Sequence, residues 1–176
     1  RQRGLADDTL VVVTGDHGEG FGSPHDIYGH GGRVYQEIVR VPLVLWNPQL
    51  VSGGRRVDTI GGHIDLNPTL TDLLDLPASG SWQGRSLFDT GRPPRAYFYA
   101  ANDDYLLGIR EQNWKYIYNA TIGREELFDL NQDRTEQENL AREYPQHCEE
   151  LRQRLAAWMK YEEGHISKLR RQANPQ

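Results

Sequence analysis

The sequence predicts an α/β fold with a small antiparallel sheet attached, and three observations carry that prediction. Thr9–Thr14 (TLVVVT) is a continuous, β-branched apolar run, the pattern of a strand covered on both faces in a mostly parallel sheet. HIDLNPTLTDLLDL (63–76) carries helix-start signals followed by leucines on one face. Beyond residue 95, short aromatic and aliphatic runs alternate with turns and lead into an apolar helical stripe.

Taken in order, Val39–Trp46 (VRVPLVLW) reads as a second strand, with Pro42 at an edge or a bulge because it cannot donate to a ladder. NPQLVSGGRR (47–56) is a surface turn. In the helix that follows, Asn67 is the expected N-cap and Pro68 the first helical residue. Leu70, Leu73 and Leu74 share a face, and the helix ends near Leu76–Pro77. Asp65 is read as a capping residue. ASGSWQGRSLFDTGRPP (78–94) is loop and holds the expected boundary, giving domains 1–80 and 81–176. AYFYA, YLLGIR, WKYIYN and ELFDL then form a small antiparallel sheet, separated by ANDD, EQN and ATIGRE. Trp114, Tyr116 and Tyr118 alternate, so at least one face of their strand is core, while Arg110 and Lys115 read as solvated edge charges. From Glu136 onward the pattern is helical. Leu151, Leu155, Trp158 and Met159 make one stripe that packs on the small sheet, and KLRRQANPQ (168–176) frays.

Composition narrows the function classes. The chain has 176 residues, 37% hydrophobic and 26% charged, as expected of an ordered domain. A net charge of −5 argues against nucleic-acid binding, which needs a basic surface. The single cysteine, Cys148, excludes an intramolecular disulfide and a cysteine-rich zinc module. No apolar run approaches the ~20 residues of a membrane span, and no signal peptide opens the sequence. A buried-type strand so close to the first residue reads as part of something longer.

The chemistry concentrates in TLVVVTGDHGEGFGSPHDIYGHGGRVY (9–35). Ligands of open α/β sheets bind beyond the carboxyl ends of the strands, where Asp16 and His17 stand. Neighbouring strand residues point to opposite faces, so both can reach one ion only where the chain turns, and Gly15 and Gly18 permit that turn. A carboxylate with an imidazole is half of a divalent-metal site; a structural Asp-Gly turn is the alternative. His30 lies between Gly29 and Gly31, and Arg33 brings a guanidinium suited to tetrahedral oxyanions.

These segments, with GRSL, GIREQNWKYIY and ELFDLNQDRTEQENLA further on, occur in an order that resembles the sulfatases of the alkaline-phosphatase superfamily. The resemblance implies an alkaline-phosphatase-like fold, incomplete here: the last strands and helix of the main sheet plus the small C-terminal sheet with its closing helix. It implies that Asp16 and His17 ligate a divalent metal, Ca²⁺ in a sulfatase, with Mn²⁺ or Zn²⁺ in phosphoryl-transferring relatives. His30 matches the histidine that contacts the sulfate and helps the leaving group depart. Arg33 falls near a family lysine, whereas Glu19 and His25 have no firm counterpart and read as rim or supporting residues. The family nucleophile, a Cys or Ser followed by x-Pro-x-Arg, is absent; Cys148 in QHCEEL lacks that pattern and reads as a helix-face thiol. The expected partners are a sulfate-ester substrate, or a phosphate ester in the transferase and phosphodiesterase branch, and the N-terminal remainder of the domain. An inactive folded module is the reading of another class. Asn119-Ala-Thr121 fits a glycosylation acceptor.

Overall fold

Strand β1 (Val11–Thr14) pairs antiparallel with β4 (Leu43–Trp46), Val11 opposite Trp46 and Thr14 opposite Leu43. The computed structural model describes residues 4–51 and 53–173, so the last residues of the segment expected to fray, 174–176, lie outside the described part. Coverage of β1 on both faces is not met among the described residues: Val13 is 54% exposed and its partner Val44 53%. The second strand starts later than its apolar run. Gln36–Val39 instead closes one helical turn, α1. Pro42 then disfavours helical backbone at the residue before it and withholds an N–H, so the ladder begins only at Leu43.

A 3₁₀ turn, His63–Asp65, runs directly into α2 (Leu66–Leu73), which therefore begins before the expected Asn67 cap. Capping belongs to Asp65: its Oδ2 accepts the Gly62 N–H at 2.9 Å. The same carboxylate, buried, accepts the Arg85 N–H at 2.9 Å and the Arg92 guanidinium at 2.7 Å. Thr69 Oγ1 accepts the Leu87 N–H at 2.9 Å. Pro68 and Thr69 are thus the buried residues of α2, while Leu70 and Leu73 are half-buried and Leu74 is exposed. These bonds hold the loop 78–94 to α2.

The chain divides into two compact units, residues 1–30 with 35–96, and residues 31–34 with 97–176. In the second, β5 (Arg95–Ala101), β6 (Tyr105–Glu111), β7 (Trp114–Asn119) and β8 (Arg124–Asp129) form a four-stranded sheet in sequence order. The ladders from β6 to β7 and from β7 to β8 are antiparallel. Its core is Leu107, Ile109, Tyr116 and Leu127 from the sheet against Cys148, Leu151 and Leu155 of α3 (Pro145–Ala173). Trp158 stacks on Tyr97 at 4.9 Å, and Met159 lies at the exposed margin of the stripe.

Two expectations fail in this unit for physical reasons. The helix starts at Pro145, not Glu136, because turn-forming side chains capture the intervening backbone. Asp133 accepts the Glu138 N–H at 2.8 Å, Asn139 accepts the Ala141 N–H at 3.0 Å, and Leu140 N–H reaches Leu127 O at 2.8 Å. Pro145 suits a first helical position, where its missing N–H costs nothing. Lys115 is not a solvated edge charge. Its Nζ lies 2.6 Å from Glu136 Oε1, both side chains are 0% exposed, and it stands 5.1 Å from the Phe98 ring centre. β7 is buried on both faces, which alternation within WKYIYN could not reveal. Its neighbour Arg110 is half-buried, its Nε donating to Gln112 O at 3.2 Å.

Candidate active site

The residues leaving β1 turn sharply. Gly18 N–H donates to Ile38 O at 2.7 Å, and a Cβ on Gly18 would collide with the Glu37 carbonyl, so the chain passes against α1 only as glycine. The chain then makes a minimal hairpin, β2 (Gly20–Phe21) against β3 (Tyr28–Gly29), pairing Gly20 with Gly29 and Phe21 with Tyr28. Glu19 and His30 flank the open end of this hairpin and are thereby brought opposite one another. Gly29 has φ +89°, the left-handed region that glycine enters without strain, and it directs the chain into His30.

The result is a compact set of acids and imidazoles. The His17 and His30 rings stack at 3.8 Å. His30 Nδ1 lies 2.9 Å from Glu19 Oε2, and ligand-type atoms of His17, Glu19 and His30 fall within 4.8 Å of one another. His17 Nδ1 lies 2.8 Å from the Gly18 carbonyl, which marks Nδ1 as the protonated nitrogen and leaves the Nε2 lone pair for a ligand. Asp16 Oδ2 is 3.6 Å from that Nε2. Two donors at ~2.0–2.6 Å from one ion span such a separation, so the Asp16–His17 pair fits a divalent cation. The Asp16 carboxyl is held below the usual carboxylate range by its own backbone N–H, by the His17 imidazole and by the His17 N–H, with His30 adding to the effect. It is therefore ionised, the form a cation requires.

Of the other residues singled out in the sequence, Arg33 belongs to the second unit, where its Nη1 donates to Gly32 O at 2.7 Å. His25 Nδ1 meets Glu37 Oε1 at 2.6 Å, and its ring stacks on Tyr35 at 3.8 Å. Cys148 is buried, its Sγ 3.7 Å from Ala141 O, and burial raises its pKa, as suits an inert core thiol. Asn119 donates to Asp104 Oδ2 at 2.8 Å and accepts the Thr121 N–H, so the sequon sits in a hydrogen-bonded turn. The sequence reading passed over His63, whose Nε2 lies 2.8 Å from Gly15 O beside Asp16. Its place just ahead of Asp65 in the 3₁₀ turn was the only local signal. Glu19, read as a rim residue, stands in direct contact with His30.

The Sulfatase family model matches residues 1–76. The choline-sulfatase of Rhizobium meliloti (strain 1021) is 34% identical, over 78% of this chain and 28% of its own length. Arylsulfatase K of Bos taurus is 28% identical over 92% of this chain and 33% of its own. The chain thus spans about a third of the length of these relatives. A solved structure of a protein in complex with its substrate D-glucosamine-2-N,6-O-disulfate superposes with a TM-score of 0.77 at 26% identity. That match covers 90% of this chain and 35% of the other. A phosphonate monoester hydrolase from Silicibacter pomeroyi shares the fold with a TM-score of 0.69 at 24% identity, over 93% of this chain and 36% of its own. The architecture is accordingly alkaline-phosphatase-like, with the small antiparallel sheet and its C-terminal helix in place. Fold, order of motifs and relatives agree: the chain belongs to the sulfatase family of the alkaline-phosphatase superfamily and corresponds to its C-terminal part.

Proposed function

We propose that the intact protein hydrolyses a sulfate ester, and that this chain contributes one side of the active site. The observation that carries the reading is the contact of His30 Nδ1 with Glu19 Oε2 at 2.9 Å beside the Asp16–His17 pair. A carboxylate on Nδ1 fixes the tautomer and aims Nε2 outward, where it can hold a proton against a departing oxygen. Asp16 and His17 hold the divalent cation, assigned as Ca²⁺ with further oxygen ligands from the rest of the domain. When bound, that ion acts as a Lewis acid on a sulfuryl oxygen. The nucleophile belongs to the remainder of the domain, as do the elements that cover Val13 and Val44.

Leaving-group protonation is typically worth roughly 10²–10⁴-fold and matters most for a poor leaving group. In the intact protein, His30→Ala should slow an alkyl sulfate by that factor and an activated nitrophenyl sulfate much less. Its metal content should match wild type, whereas Asp16→Ala should lose the metal. Equal slowing of both esters, or an emptied metal site in His30→Ala, refutes the role given to His30. Because imidazole in the Asp16–His17 pair also suits transition metals, a phosphoryl ester is the second reading of the same scaffold. An aryl phosphate turned over faster than the aryl sulfate, with stoichiometric zinc or manganese, would select it.

A further inference from the structure

The hairpin that carries Glu19 and His30 has strands of two residues each, too short to fix its own position. Something else must hold it. Its near end is tied by Gly18 N–H to Ile38 O at 2.7 Å. Its tip, closed by Asp26 N–H to Gly22 O and Gly22 N–H to Ile27 O, both 2.8 Å, carries His25. His25 turns back onto the same short helix: Nδ1 to Glu37 Oε1 is 2.6 Å, and the ring lies flat on Tyr35, 3.8 Å away and 8° from parallel. The His25 and Glu37 side chains are only 14% and 15% exposed, far less than His30 and Glu19 at 54% and 41%.

The geometry points to His25 and Glu37 as a positioning pair for the active site. Resting on the sulfatase reading above, this assigns them the task of fixing the hairpin so that His30 keeps its place against His17. Neither side chain takes part in the chemistry. The pair works by geometry: with both ends of the hairpin anchored to one helical turn, Glu19 and His30 cannot slide relative to Asp16 and His17. A misplacement of about 1 Å in such a site can cost roughly 10²-fold in rate.

The test uses the full-length protein with isotopically labelled histidine. Imidazole proton–nitrogen spectra report the His17 and His30 rings directly, and kcat and KM are measured on an alkyl sulfate. His25→Ala is expected to move the His17 and His30 ring signals and lower kcat by roughly 10²-fold with KM nearly constant. His25→Asn, whose amide N–H falls where Nδ1 stood, should restore both readouts most of the way. Glu37→Gln should shift the same ring signals in the same direction as His25→Ala. If His25→Ala fails to fold, Glu37→Gln and His25→Asn carry the same comparison. Unmoved His17 and His30 signals in a folded His25→Ala or Glu37→Gln protein overturn the inference, as does His25→Asn behaving like the alanine variant. Should wild type turn over no sulfate ester, the functional reading falls, and the ring signals alone still decide this one.

Discussion

Removing one partner of the Lys115–Glu136 pair should be the most damaging single change in the second unit. Both side chains are 0% exposed and their charged atoms are 2.6 Å apart. At an effective dielectric constant of about 20, the Coulomb attraction at that distance is about 6 kcal/mol, most of it offset by the desolvation of two ions. The pair is therefore a weak net stabiliser but a costly one to break, since the survivor keeps its burial and loses its counter-charge. Lys115→Met should cost about 3–5 kcal/mol. With a urea m-value of about 2 kcal/mol/M, the midpoint would fall by about 1.5–2.5 M. Glu136 adds a further constraint, because its φ of +56° places a non-glycine residue in the left-handed region. Urea unfolding followed by tryptophan fluorescence measures the effect, with Trp114 and Trp158 packed against this core. The double variant Lys115→Met/Glu136→Leu removes both charges and should recover about half of the loss or more. A single variant costing less than about 1 kcal/mol, or additive losses in the double variant, would refute the reasoning.

Two further predictions concern Tyr116 and Glu19. Burial, then the 2.6 Å hydrogen bond to Glu125, raises the Tyr116 pKa above its ordinary value. Folding stability therefore holds below pH ~10 and falls above it by up to ~1.4 kcal/mol per pH unit, a slope that Tyr116→Phe should remove in alkaline urea titrations. Glu19→Gln keeps an oxygen near His30 but removes the charge; it should lower kcat for an alkyl sulfate roughly tenfold while metal content stays at wild type. Loss of metal in that variant would instead make Glu19 a ligand beside His17 and His30.

The parts of the fold legible in the sequence are those in which one local pattern meets one environment. Strands β5 to β8 lie where aromatic and aliphatic runs alternate with turns, and Leu151 and Leu155 face the core as their spacing requires. Boundaries failed where a specific side chain overrode the pattern. Pro42 delayed β4, Asp65 started α2 early, and Asp133 and Asn139 postponed α3. Lys115 failed because its counter-charge, Glu136, comes from a turn 21 positions on, and both faces of β7 are covered. In the site, glycine crowding marked the segment, but the contact between Glu19 and His30 comes from the pairing of Gly20 with Gly29. His30 lies eleven positions after Glu19, and no local pattern encodes that closure.

Stability and the proposed chemistry occupy different residues in this chain, which makes the functional substitutions interpretable. The Asp16 side chain is 90% exposed, and those of His17, Glu19 and His30 are 41–54% exposed. Side chains so well solvated contribute little to folding, because their polar contacts exchange one hydrated state for another. The groups that stabilise the second unit, Lys115, Tyr116, Leu127 and Leu151, are 0% exposed and belong to the sheet and helix core. The rule bends at His25 and Glu37, which are partly buried although they serve the exposed pair. That exception has a physical basis. An exposed imidazole is free to accept and donate protons but has no packing to hold it, so its precision must come from neighbours that do. In this chain those neighbours sit at the hairpin tip and on one turn of helix, which is why a residue five positions before His30 in sequence can govern its placement.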